Sequence, residues 1–151
     1  MAKITVGDVL VHAERFEDML AEYYAAISSH SVRDGVRMLA DYMSRHRRRI
    51  YEFLSKREPG EIQRIKRVRL PVEPEAADER CFTDSTRLPP DASASEVLDV
   101  ALQLDQCLIN LYRQAAEETA DTEARELLEK LQVVEVRDKI RLQKIKALDY
   151  F

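Results

Sequence analysis

Six residues that could carry chemistry fall on the apolar faces of amphipathic helices. They are Glu17, Met43, His46, Asp105, Glu135 and Asp138. Four of them are carboxylates, and an unpaired buried charge costs many kcal/mol. A core that accepts four such groups must compensate their charge. Carboxylate oxygens together with one imidazole form a ligand set that suits iron, manganese or magnesium, so the pattern predicts a candidate metal site.

The helices that must position these side chains are visible as stripes of apolar residues at alternating spacings of three and four. Such stripes are typical of amphipathic helices that face a common core. They run through residues 10–27, 32–53, 98–115 and 124–145, with the polar positions as the interruptions. We therefore predict helices at about 7–28, 32–54, 94–119 and 122–148.

Short polar turns join the first helix to the second and the third to the fourth, which predicts two antiparallel hairpins. Thr5 with Asp8 and Ser93 with Glu96 have the spacing of capping boxes at helix starts. The segment 58–92, rich in proline and charge, is a long crossover in which 61–70 forms a short helix or strand. We expect one all-α domain, residues 1–151, built as an antiparallel four-helix bundle with this crossover between helices two and three.

Composition narrows the function classes. The chain has 151 residues with only three glycines, five prolines and 34% charged residues, which favours helices over sheets. Its formal net charge of −4 argues against nucleic-acid binding, and no apolar run is long enough to span a membrane. Cys81 and Cys107 are isolated, so we expect neither a disulfide framework nor a cysteine-ligated metal. We expect a cytoplasmic protein.

The six candidate residues are expected to meet at one depth of the bundle. Glu17 precedes the first turn by about as many residues as Met43 and His46 follow it, and Asp105, Glu135 and Asp138 are placed in the same way about the second turn. If the hairpins pack with matched centres, the six side chains converge on one site.

The sequence resembles the ferritin-like superfamily, and within it the rubrerythrin-type bundles. Glu17 and Tyr24 have the spacing of that family's Glu-x6-Tyr pattern, and Asp105 and Tyr112 repeat it with Asp in place of Glu. The segments Leu-Ala-Asp-Tyr-Met-Ser-Arg-His at 39–46 and Leu-Gln-Val-Val-Glu-Val-Arg-Asp at 131–138 are similar to the family's two Leu-Ala-Glu-Glu-Glu-x-x-His segments. The similarity covers both hairpins and leaves the crossover unmatched.

The resemblance implies a carboxylate site for two metal ions, with iron, manganese or another divalent metal as the cofactor. The implied ligands are Glu17, His46, Asp105, Glu135 and Asp138. Met43, Tyr24 and Tyr112 would lie beside them. An active site of this type would be a di-iron oxidoreductase that reacts with oxygen or peroxide and takes electrons from an external donor. The residues assign no catalytic group on their own. The resemblance also implies a homodimer.

Three departures from the family pattern weaken the metal prediction. Met43 stands where the family has a bridging glutamate, Asp138 where it has a second histidine, and Asp105 is one methylene shorter than the usual glutamate. These 151 residues contain no cysteine pair of the kind that the rubredoxin module of a full rubrerythrin carries. The four carboxylates keep the negative charge that two divalent cations require, and we expect no lysine or arginine on the inner faces at that level to neutralise it.

Two alternatives remain open. In a metal-free bundle, kept as a structural or interaction module, His46 would pair with Glu17 or Asp138 and the other carboxylates would be protonated. A weaker possibility is anion binding by the arginine-rich end of helix two, Arg45 and Arg47 to Arg49. A charge run of this kind is more often a solvated face that pairs with acidic segments of the same chain.

Overall fold

A computed structural model describes residues 4–56 and 60–148, and it confirms the all-α four-helix bundle with one long crossover. The helices are α1 (Val6–His30), α2 (Asp34–Ser55), a short α3 (Gly60–Lys66), α4 (Ala94–Glu118) and α5 (Thr122–Leu148). Helices α1 and α2 form one hairpin and α4 and α5 the other, and each pair packs along its length. None of the described helices is both long and apolar enough to cross a membrane.

Both predicted capping boxes are confirmed. The Thr5 hydroxyl accepts from the backbone N–H of Asp8, whose carboxylate accepts from the backbone N–H of Thr5. Ser93 and Glu96 make the same reciprocal pair at the start of α4. Each box satisfies backbone donors that would otherwise lack a partner at a helix start, which is worth about 1 kcal/mol.

The apolar stripes form one continuous core between the hairpins. Its largest fully buried apolar side chains include Phe16, Leu20, Leu98, Leu104, Leu108 and Leu128. Each buried leucine or phenylalanine stabilises the fold by about 1.5–3 kcal/mol relative to an exposed one. This apolar core encloses the polar site and holds its helices at fixed separations.

The crossover lies along the bundle and is anchored at two places. Near its start, α3 approaches the first turn of α1, where a Cβ at Gly7 would lie 2.9 Å from the Lys66 carbonyl oxygen, so glycine permits the close contact. Residues 68–70 then pair with the start of α1 through backbone hydrogen bonds and an antiparallel bridge between Thr5 and Arg69. Further on, the Tyr23 hydroxyl donates to the Thr86 carbonyl at 2.5 Å. The later part of the crossover contains two short 3-10 turns, Glu79–Cys81 and Asp84–Thr86.

The side of the bundle between α2 and α5 is the open one. Clefts between these two helices lead inward to Tyr24 on α1 and Tyr112 on α4. Two residues that we predicted on the inner face of helix two, Val32 and Phe53, are instead 71% and 55% exposed. Val32 precedes the first residue of α2, and Phe53 lies at the edge of the α2–α5 cleft.

Candidate functional site

The centre of the bundle holds an arginine surrounded by carboxylates. Arg47 of α2 is 3% exposed, and its guanidinium reaches three other helices. Its Nη1 donates to both carboxylate oxygens of Glu17 on α1 at 3.1 Å and to Glu135 Oε1 on α5 at 2.6 Å. Its Nη2 donates to Asp105 Oδ1 on α4 at 2.5 Å. The three carboxylates are at most 1% exposed, so this is a fully buried ion cluster.

This arrangement corrects one prediction from the sequence. We expected no lysine or arginine on the inner faces at this level, and that was wrong: Arg47 occupies the middle of the cluster. We also placed it in a solvated basic face, which holds for its neighbours Arg45, Arg48 and Arg49 but not for Arg47 itself. Arg47 is therefore not accessible to an anion at the end of helix two.

A second polar contact, between a histidine and a carboxylate, lies at the edge of the cluster. His46 Nε2 lies 3.0 Å from Asp138 Oδ2, with the two side chains 25% and 9% exposed. The imidazole also stacks on Tyr42, with ring centroids 6.3 Å apart and planes 10° from parallel. This contact joins α2 to α5 across the open side of the bundle. It is one of the two pairings considered for a metal-free bundle.

The remaining predicted neighbours are also in place. Met43 is buried and lines a cleft with Tyr24, His46 and Arg47. Tyr24 and Tyr112 are 1% and 2% exposed. Among the residues that the structure describes, the Tyr24 hydroxyl has no hydrogen-bond partner. All eight of these side chains lie in one region of the bundle, around Arg47.

Burial and charge oppose each other in the cluster. Burial raises the pKa of Glu17 well above its ordinary value, although the positive charge of Arg47 opposes this shift. Burial likewise raises the pKa of Asp105 to about 7, again against the effect of Arg47. Burial lowers the pKa of Arg47, but the surrounding carboxylates outweigh it and hold that pKa well above its usual range. Arg47 is therefore a permanent cation, and Glu17 and Asp105 are the groups with pKa values raised towards neutral pH.

The pair at the edge behaves differently. Burial alone would raise the pKa of Asp138, but the hydrogen bond with His46 and the charge of Arg47 bring it below its ordinary value. Asp138 is therefore ionised at neutral pH, while Glu17 and Asp105 are poised to hold protons. A single guanidinium faces three carboxylates, so protonation is the available route to charge balance.

The side chains in this arrangement do not fit a pair of metal ions. Each of the three central carboxylates accepts a hydrogen bond from Arg47, and the Nε2 atom of His46 contacts Asp138. Over residues 4–56 and 60–148, no group of three or more histidine, cysteine, aspartate or glutamate side chains is placed to hold a metal ion. The donor types expected from the resemblance are present, but a guanidinium occupies the space between them.

Arg47 is the functional residue that the sequence reasoning missed. It follows His46 directly and lies four residues after Met43, so it shares the inner face of α2 with Met43. The demand for positive charge among four buried carboxylates was a usable signal, but three further arginines in the same run concealed it. Only the rotation of α2 decides which of the four faces inward.

Comparisons with known proteins establish the fold. No family model matches the chain, and no curated protein matches it. Among solved structures, it is similar to the crystal structure of a Thermotoga maritima protein that is proposed to be a ferritin-like diiron-carboxylate protein. The TM-score is 0.63 with 20% sequence identity, and the match covers 97% of each chain. The chain therefore has the ferritin-like fold over nearly its whole length.

Proposed function

We propose that this protein is a ferritin-like bundle that works without a metal and serves as a structural or interaction module. Arg47 supplies the positive charge that the buried carboxylates need. The observation that carries this proposal is the set of contacts from one guanidinium to Glu17, Asp105 and Glu135 on three different helices. A planar guanidinium has five donors in a fixed geometry, which suits it to bind several carboxylates at once.

The electrostatics support the same proposal. A metal ion in this site would have to displace Arg47 from all three carboxylates and leave a permanent cation buried or force it out past Met43. Breaking a buried ion cluster by removing one partner typically costs about 3–5 kcal/mol. Met43, a thioether in place of a carboxylate, adds no ligand that a hard metal prefers.

A second candidate is the iron-binding, rubrerythrin-like oxidoreductase implied by the sequence resemblance. Its support is the shared fold with a protein that is proposed to be a diiron-carboxylate protein, together with the retained carboxylates Glu17, Asp105 and Glu135. In this chain it requires Arg47 to leave the carboxylates. The two candidates therefore differ in one measurable quantity, the metal content of the folded protein.

The deciding experiment is elemental analysis of protein expressed with iron and manganese supplied. It should be run beside the double variant Glu17→Ala, Glu135→Ala. We expect far less than one metal ion per chain in the wild type, with no difference from the variant. Stoichiometric metal in the wild type that is lost in the double variant would overturn the metal-free proposal and make oxygen and peroxide assays the next step.

We also infer that the protein forms a homodimer. Several large apolar side chains are exposed on the monomer, among them Met38 at 74% and Val133 at 46%. Light scattering on the purified protein should then give twice the chain mass of 17.5 kDa. A monomer at all protein concentrations would contradict this inference without affecting the metal-free proposal.

A further inference from the structure

A narrow apolar cleft runs between α2 and α5, beside the buried ion cluster. It has a volume of about 200 Å³. Its apolar lining consists of Ile50, Phe53 and Leu54 from α2, Leu131 and Val134 from α5, and Tyr112 at its floor. Val134 is 42% exposed at its edge. An opening with a mostly apolar wall and a few polar groups is the usual form of a small-molecule site.

A second cavity of about 80 Å³ lies next to the cleft, at the α3 end of the bundle. Leu54 and Leu131 line both spaces, and Leu10, Ile62 and Leu127 add further apolar surface in the second. The two cavities are therefore adjacent and follow one another along α2 and α5, and Glu14 and Lys66 also line the second. Two apolar cavities in line along the helices suit a chain of methylene groups better than a compact ring.

The polar groups of the cleft lie at its other end. Arg49 and His46 of α2 line it there, together with Glu135 of α5. Arg49 is exposed and has no ion-pair partner among the residues that the structure describes. The carboxylates nearby are already engaged, Glu135 by Arg47 and Asp138 by His46. The free charge at this end is thus positive.

We propose that this cleft binds a fatty acid of medium length, with the carboxylate on Arg49 and the alkyl chain along Leu54 and Leu131. Charge complementarity with Arg49 selects an anionic head group, and the apolar lining selects the tail. A partner helix lying over the groove is the alternative occupant, and the peptide titration described below tests for it. A second copy of the chain in twofold contact here would bring two Arg49 side chains together. The proposal does not depend on whether the protein binds a metal.

Calorimetric titration of the full chain with octanoate, decanoate and dodecanoate, each below its micelle concentration, tests the proposal. We expect affinity to rise about fourfold per added methylene until the two cavities are filled, and then to level off. Decanol should bind more weakly than decanoate, because it lacks the charge that Arg49 pairs with.

The chain offers matched controls at adjacent positions. Val133 is as exposed as Val134 but lies outside this cleft, so Val134→Glu should weaken decanoate binding at least about tenfold while Val133→Glu leaves it unchanged. Arg49→Gln should weaken binding by up to about fivefold, and Arg48→Gln should not. If Val134→Glu fails to fold by circular dichroism, Val134→Phe, which fills the cleft without adding charge, takes its place.

Several results would overturn the proposal. One is the absence of binding below the micelle concentration, and another is equal binding by the Val133 and Val134 variants. Equal affinity for decanoate and decanol would remove the role of Arg49. Binding of an acidic amphipathic peptide with no binding of fatty acids would replace the proposed ligand by a partner helix.

Discussion

Replacing Arg47 by methionine removes the guanidinium while leaving a flexible apolar side chain of similar reach. The change deprives Glu17, Asp105 and Glu135 of their shared partner at once. All three carboxylates are at most 1% exposed, so water cannot take over the lost hydrogen bonds without opening the bundle. The variant therefore tests whether Arg47 is what allows these carboxylates to be buried.

The expected loss follows from the burial of the cluster. Removing one partner from a buried ion cluster typically costs about 3–5 kcal/mol of unfolding free energy. The carboxylates can recover part of that cost by taking up protons, since burial already raises the pKa of Glu17 and of Asp105. We therefore expect a loss near the upper end of this range at about pH 8 and a clearly smaller one at about pH 5.

Urea unfolding at both pH values measures the effect, with Arg48→Met as the matched control. Arg48 is the next residue on α2 and is exposed, so its replacement should change stability by less than about 0.5 kcal/mol. Arg47→Lys should fall between the two, because one ammonium group keeps the charge but cannot contact three carboxylates in the fixed geometry of a guanidinium. A loss in Arg47→Met no larger than in Arg48→Met would refute the reasoning.

The same variant also tests the link between arginine and metal. With Arg47 gone, the three carboxylates become available to a divalent cation, and Mn²⁺ at a hundred times its dissociation constant would raise the unfolding free energy by about 2.7 kcal/mol. The wild type should show no such rise at the same Mn²⁺ concentration. Equal stabilisation of wild type and variant would mean that Arg47 does not occupy the cation site.

Three further predictions concern single groups. Tyr24→Phe should leave the unfolding free energy unchanged or raise it by up to about 1 kcal/mol, because it removes a buried hydroxyl without a described partner. Tyr23→Phe should lower the unfolding free energy by about 1 kcal/mol through loss of the hydrogen bond to Thr86. A larger loss in Tyr24→Phe than in Tyr23→Phe would contradict this prediction. The unfolding free energy should rise as pH falls from about 8 to about 5. Burial raises the pKa of Asp105 to about 7, so the folded state binds a proton that the unfolded carboxyl does not. Asp105→Asn should flatten this slope in urea titrations, and a fall in the unfolding free energy of the wild type over this range would contradict the prediction. Burial and the neighbouring thiol of Cys81 raise the pKa of Cys107 to about 12. Cys107 should therefore react slowly with an aromatic disulfide at about pH 8 and quickly only in urea. Fast reaction in the folded protein would show an accessible thiolate and contradict the prediction.

The fold could be predicted from the sequence because the patterns that determine the helices involve residues only a few positions apart. Stripes at spacings of three and four fix which face of each helix is buried, and residues such as Leu20 and Leu108 lie in the core as predicted. The capping boxes at Thr5 and Ser93 fixed two helix starts through contacts only three residues apart. The exposed Val32 shows the limit of this reasoning, since an apolar residue beside a turn continues the pattern without entering the helix.

The site could be predicted only in part from the sequence, because the side chains that meet there depend on the rotation of each helix about its axis. A step of one residue turns the side chain by about 100° around the helix, so the pattern alone cannot separate His46 from Arg47 as the inner residue. In the structure His46 faces the open side and meets Asp138, while Arg47 faces the centre. Arg47 supplies positive charge at the centre and His46 contacts Asp138 at the edge, and the sequence analysis named only His46 as a site residue.

The two adjacent residues divide the four carboxylates between them, and this division explains why the pKa shifts differ. Asp138 has a partner of its own in His46, so its pKa falls below the ordinary value despite burial. Glu17, Asp105 and Glu135 share one guanidinium, which cannot balance three full negative charges in a dry core. The pKa values of Glu17 and Asp105 are accordingly raised. Bound protons and the guanidinium of Arg47 thus together neutralise the three central carboxylates. The pH dependence assigned to Asp105 should therefore become steeper in Arg47→Met, and an unchanged slope would mean that the two groups are not coupled.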